Sequence, residues 1–236
     1  MGYVLDRGGT PLDHIAIGVP DTERGVEELG EVLGYKPVLT KPEPDQFYWS
    51  GSLPLGAGRF LEILGPNPEY RKFNPFIEIV RRLEQPQPLF WYVATDNFAR
   101  FEAAAKAAGA PVERVQTVSH EVHGTITDYT RGIIGPGFLS VSPNVIEWRS
   151  RFAALTEGDG PEFVSLELAH PEADRLNSAF KVLGINQHVS KGPHRIGLNL
   201  NTPKGPVSFA GDGLELRGVT AMARMAGLYF RWLAKR

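Results

Sequence analysis

The chain has no cysteine among its 236 residues, so disulfides, thiolate zinc sites, iron–sulfur clusters and thiol nucleophiles are all excluded. Any metal would have to sit on His, Asp, Glu or water. Charge of one sign is also missing: 25 Lys and Arg face 27 Asp and Glu, for a formal net charge of -2. That balance offers no footprint for nucleic acid, which needs clustered cations against phosphate. No run approaches the roughly 18 apolar residues of a membrane-spanning helix. The opening "MGYVLDRGGT" has neither the basic start nor the apolar centre of a signal peptide, and Asp6 stands where a myristoylation signal has Ser or Thr. These absences predict a cytoplasmic protein with no nucleic-acid or membrane partner. Nucleotide and serine-hydrolase signatures (GxGxxG after a strand, GxxxxGK[ST], GxSxG) and the zinc-protease HExxH are absent too.

With 42% hydrophobic residues the chain can bury a real core. In "LDHIAIGVPD", Ile15, Ile17 and Val19 alternate with His14, Ala16 and Gly18, which predicts a strand with two different faces. Asp21 caps a helical pattern of Val26, Leu29, Val32 and Leu33 that Gly34 ends. Three β-like runs follow, "YKPVLT", "DQFYWSGSLPL" and "GRFLEILGP". The unit reads β-α-β-β-β over residues 10–66.

It recurs over 87–150, where "LFWYVATD" precedes an Asp96 cap and a helix ending at Gly109, and in shortened form over 162–211, where the helix ends at Gly184. Each helix exit sets a Gly before an apolar residue that starts a strand. The period is too long for a solenoid, so three modules that pack together are expected, with linkers at 66–87 and 150–161. Residues 218–236 read as an amphipathic C-terminal helix docked on the body or on a partner subunit. The fold class is α+β, built on repeated βαβββ modules.

Polar residues interrupt the apolar strands at Glu62 in "FLEIL" and Glu147 in "VIEWR". A buried carboxylate costs several kcal/mol unless it is paired, hydrogen-bonded or on a metal. His14, Glu62 and Glu147 are therefore the candidate chemical residues. Trp49, Phe60, Tyr129 and Trp148 are aromatic candidates for a substrate pocket. His120 and His123 in "SHEVHG" are weaker candidates, because odd spacing on a strand sends them to opposite faces.

"LDHIAIGVPD", its helix, the "LG" exit and "FLEILGP" resemble the vicinal oxygen chelate superfamily, in particular its glyoxalase-like domain families. The resemblance covers about residues 10–150. It implies paired βαβββ modules curled into an incomplete mixed β-barrel with flanking helices, around a divalent metal such as zinc, iron(II), manganese or nickel. The implied metal ligands are His14, Glu62 and Glu147, with Glu62 and Glu147 able to serve as general bases. The implied chemistry is lyase, isomerase or dioxygenase action on a small molecule with neighbouring oxygens. The second module departs from the pattern, since "LFWYVATD" has no histidine. A metal-free protein that binds or sequesters a small molecule on the same fold is the alternative, and a homodimer is the assembly left open.

Overall fold

A computed structural model describes residues 9–41, 46–122, 124–135, 141–151, 153–212, 227–229 and 231–232. Most of the expected C-terminal helix, all of His123 and the side chain of His120 lie outside the described residues. No helix among those described is long and apolar enough to cross a membrane.

The first module runs β1 (Leu12–Gly18), α1 (Thr22–Leu33), β2 (Val38–Thr40), β3 (Tyr48–Gly56) and β4 (Arg59–Pro66). A short helix, α2 (Pro75–Val80), then opens in the linker, with Asn74 accepting from the backbone N–H groups of Phe76 and Ile77. The second module runs β5 (Gln87–Ala94), α3 (Phe98–Ala107), β6 (Val112–Val122), β7 (Thr125–Ile134) and β8 (Asn144–Ser150). The third runs β9 (Glu162–His170), α4 (Ala173–Val182), β10 (Val189–Lys191), β11 (Arg195–Thr202) and β12 (Gly205–Gly211). Asp21 caps α1 by accepting from Arg24 N–H, as expected, while α3 is capped by Asn97, one residue beyond Asp96. Gly34, Gly109 and Gly184 all adopt positive φ of 67–76°, which a glycine reaches without the steric cost a Cβ imposes.

The first two modules form one eight-stranded sheet in the order β2-β3-β4-β1-β5-β8-β7-β6, joined across the antiparallel β1–β5 pair. One face carries Ile15, Ile17, Leu61, Ile63, Trp91, Val93 and Val145, and it packs on α1, α3 and the third module through Leu166, Leu168, Phe180 and Leu198. The third module shares the element order of the others but not their strand order. Its sheet runs β10-β9-β11-β12, so β9 sits between its neighbours instead of at the module's edge. It serves as a backing layer to the main sheet.

The other face is concave. Five strand spacings separate β3 from β7, about 24 Å in a flat sheet. Tyr48 on β3 and Arg131 on β7 nevertheless lie within electrostatic reach of each other. The sheet therefore curls into a mixed half-barrel with flanking helices.

Candidate functional site on the concave face

The β1–β5 ladder relates the two modules by an internal twofold. His14 pairs with Tyr92 and Ala16 with Phe90, so exchanging His14 for Phe90 and Ala16 for Tyr92 maps the ladder onto itself. Its two irregularities obey the same exchange, because the ladder skips Asp13 on one strand and Leu89 on the other. A bulge adds an unpaired residue and re-aims a side chain. Asp13 and His14 accordingly both act on the concave side: Asp13 meets Trp148 there, and His14 stacks between Phe60 and Tyr92 at ring-centroid distances of 4.4 and 4.2 Å.

Asp13 is the hub of this corner. Its carboxylate, 2% exposed, takes His14 Nδ1 at 2.6 Å, Trp148 Nε1 at 3.0 Å and Arg151 Nη1 at 3.2 Å. The bond to Nδ1 selects the ring tautomer and leaves Nε2 for the concave face.

Parallel pairing of β1 and β4 sets Ala16 opposite Glu62, and antiparallel pairing of β3 and β4 sets Ser52 opposite Glu62. Glu62 is partly buried. Burial pushes its carboxyl above the ordinary value, against the opposing pulls of His14, Arg131 and a hydrogen bond from Ser50. The Ser52 hydroxyl is buried with no hydrogen-bond partner.

The second module brings Tyr92, Tyr129, Arg131, Asn144, Ile146 and Trp148 to the same face. Arg131 was not among the residues singled out in the sequence. Its guanidinium donates to Gln116 Oε1 at 3.1 and 3.3 Å and is hydrogen-bonded to Tyr92. Burial alone would weaken its charge, but Tyr92, Tyr48, Tyr129 and Glu62 surround it and its proton is held more firmly than usual. Burial also lifts the three phenols, Tyr129 to about 12 and Tyr48 and Tyr92 upward as well. All three are neutral O–H groups at ordinary pH.

His14, Glu62, Phe60, Tyr129 and Trp148 thus share one face. Glu147 and Trp49 are not brought to it. Glu147 follows Ile146 on the opposite side of β8, and its carboxylate accepts from Phe98 N–H at 3.3 Å at the start of α3. Trp49 alternates with Tyr48 and Ser50, is 6% exposed, and carries Lys41 over its ring at 4.5 Å. A surface cleft of about 370 Å³ beside α4, lined by Asn177, Lys181 and His188, touches none of the concave-face groups. Converging ionisable side chains mark the site better than that open volume does.

A resident divalent ion on His14, Glu62 and Glu147 does not fit this arrangement. No three His, Asp or Glu side chains among the described residues converge to hold one. By the twofold, the module-two positions matching His14 and Glu62 carry Phe90 and Asn144. A guanidinium occupies the same electrostatic neighbourhood, where it repels a cation.

The fold matches solved structures at low identity. A Staphylococcus aureus protein matches at 12% identity and TM-score 0.56, covering 84% of each chain. A 4-hydroxymandelate synthase variant from Streptomyces coelicolor matches at 15% identity and TM-score 0.53, over 86% of this chain and 62% of that one. A Mn(II)-bound glyoxalase from Novosphingobium aromaticivorans matches at 13% identity and TM-score 0.48, over 88% and 84%. No curated protein matches the sequence. The model of the glyoxalase-like domain covers residues 12–186, from the first residue of β1 into the third module. The chain belongs to that family, and with it to the vicinal oxygen chelate superfamily.

Proposed function

We propose that this protein binds a small oxygen-bearing organic molecule on the concave face and moves a proton on it without a resident metal, as an isomerase or lyase does. The observation that carries the reading is Glu62, a mid-strand carboxyl lifted by burial yet set on the face that also holds His14, Ser50, Ser52 and the phenols. A carboxyl with a raised pKa is, once ionised, a better proton acceptor than a solvated one. In the step envisaged, Glu62 takes a proton from the carbon next to a carbonyl. The C–H electron pair moves into the new C=C bond of an enolate, and the carbonyl oxygen takes up the negative charge. Neutral O–H groups of Tyr48, Tyr92 and Tyr129 are suited to donate to that oxygen. Return of the proton to another atom would complete an isomerisation; departure of a neighbouring group would complete an elimination.

The test is exchange of α-protons in D₂O, followed by ¹H NMR, for an aldehyde, a ketone and a 2-oxo acid. The wild type should accelerate exchange on at least one, and Glu62→Gln should lose about 10²- to 10⁴-fold of that rate, the usual worth of a positioned general base. Exchange at the buffer rate for the whole panel, or undiminished in Glu62→Gln, would overturn the reading. A second reading, sequestration without turnover, is favoured by the deep burial of His14, Phe60, Tyr92 and Tyr129, each at most 8% exposed. Saturable binding with no exchange would select it.

A further inference from the structure

We infer that the ligand of the concave face is a small organic carboxylate with a planar body, its carboxylate held by Arg131. The inference rests on the reading that this face is the ligand site, and it names the class of ligand.

Several other guanidiniums of the barrel and its linker, that of Arg151 with its buried side chain and those of the more exposed Arg149, Arg81 and Arg82, have a carboxylate at hand, while Arg59 donates to Gly56 O and lies over the Phe163 ring. Arg151 meets Asp13 at 3.2 Å, Arg149 meets Asp128 through two nitrogens at 2.7 and 2.9 Å, and Arg81 and Arg82 share Glu78. Arg131 differs. Among the described residues its hydrogen-bond partners are a neutral amide and a neutral phenol. Glu62 lies within electrostatic reach but outside ion-pair distance, and burial favours its protonated form. A half-buried cation without a counter-ion is costly to keep, and a bound anion would offset that cost.

An independent observation lies on the same face. Ser52 Oγ is buried and unpaired directly across from Glu62, while most buried hydroxyls find a partner. It is a polar group that a ligand oxygen would satisfy.

The charge inventory selects a carboxylate over a phosphate. The guanidinium fork matches a planar carboxylate in two-point contact, and the surrounding phenols are neutral donors. One guanidinium balances the single charge of a carboxylate, whereas a phosphate dianion would leave one negative charge uncompensated in a half-buried site. Phe60, Phe90, Tyr92 and Trp148 supply flat walls for a planar body.

Titration calorimetry with sodium benzoate, benzamide and phenyl phosphate tests this, on wild type, Arg131→Gln and Arg131→Lys. Benzoate should bind the wild type at least about tenfold more tightly than benzamide, which has the same shape without the charge. Arg131→Gln should erase that preference. Arg131→Lys, which keeps the charge and loses the fork, should fall between them. Should Arg131→Gln not fold, the benzoate-to-benzamide ratio in the wild type and in Arg131→Lys decides. Equal binding of benzoate and benzamide, a preference for phenyl phosphate, no benzoate binding, or a benzoate affinity untouched in Arg131→Gln would each overturn the inference. Proton exchange reads the other proposal separately. Glu62-dependent exchange without benzoate selectivity sinks the carboxylate alone, and benzoate selectivity without exchange sinks the proton transfer alone.

Discussion

The two halves of the curled sheet have the same backbone plan and opposite chemistry. Asp13 and Leu89 occupy the same bulge, His14 matches Phe90, and Glu62 matches Asn144. On the neighbouring strands Tyr48 matches Tyr129, and Ser50 matches Arg131, since each pair faces equivalent residues of β4 and β8. Module one supplies two carboxyls and an imidazole; module two supplies a cation, an amide and aromatic wall. A metal cradle drawing equally on both modules would need matching donors at matching positions. In this chain the matching positions carry different residue types, and the proposed roles divide along the same line, acid–base chemistry on module one and anion holding on module two. Symmetry of backbone is therefore no guide to symmetry of ligands.

The largest test of that division is at the bulge. Asp13→Asn preserves volume and removes the charge that His14, Trp148 and Arg151 share in a buried setting. Breaking a buried charged contact costs about 3–5 kcal/mol, so urea unfolding should show a loss of that order. Proton exchange should fall as well, because His14 loses the partner that fixes its tautomer. A loss under about 1 kcal/mol would mean that the hub is solvated and the two halves are not locked together there.

Much of this was legible in the sequence, and the misreadings have one cause. Alternation in "LDHIAIGVPD" and "GRFLEILGP" places His14 and Glu62 on one face, as observed. Matching "FLEIL" to "VIEWR" by letters makes Glu147 the partner of Glu62, whereas strand pairing makes it Asn144. The slip is an odd number of residues, and any odd slip sends a side chain to the other face. Trp49 fails likewise, one position from Tyr48 on β3. Arg131 carried a readable signal, being mid-strand, of the same parity as Tyr129, and as conspicuous in "TDYTRGII" as Glu62 in its strand. The Asp13 bulge and the strand order of the third module were not legible, since both depend on pairing between segments distant in sequence.

A smaller effect separates Glu62 from its neutral counterpart Asn144. Because the folded protein raises the Glu62 pKa, the native state binds that proton more tightly than the unfolded chain does. Nothing is lost below the unfolded value, and stability falls as pH rises through the window up to the folded value. Glu62→Gln should melt with the wild type at the acid end and above it at neutral pH. Thermal melts from pH 4 to pH 8 would show the two curves diverging upward. Parallel curves would mean that Arg131 already holds Glu62 ionised, which would also weaken the case for an unsatisfied guanidinium.

The smallest effect is expected at Glu147, the residue that sequence matching placed beside Glu62. Its carboxylate accepts one backbone N–H at the first residue of α3, where Asn97 already accepts from Arg100 N–H. Removing one acceptor from a helix start costs about 0.5–1 kcal/mol. Glu147→Ala should therefore lower the unfolding midpoint slightly and leave both α-proton exchange and benzoate affinity at wild-type values. A loss of exchange comparable to that of Glu62→Gln would mean that the β8 carboxylate reaches the concave face in solution, and that the two modules share the acid–base chemistry after all.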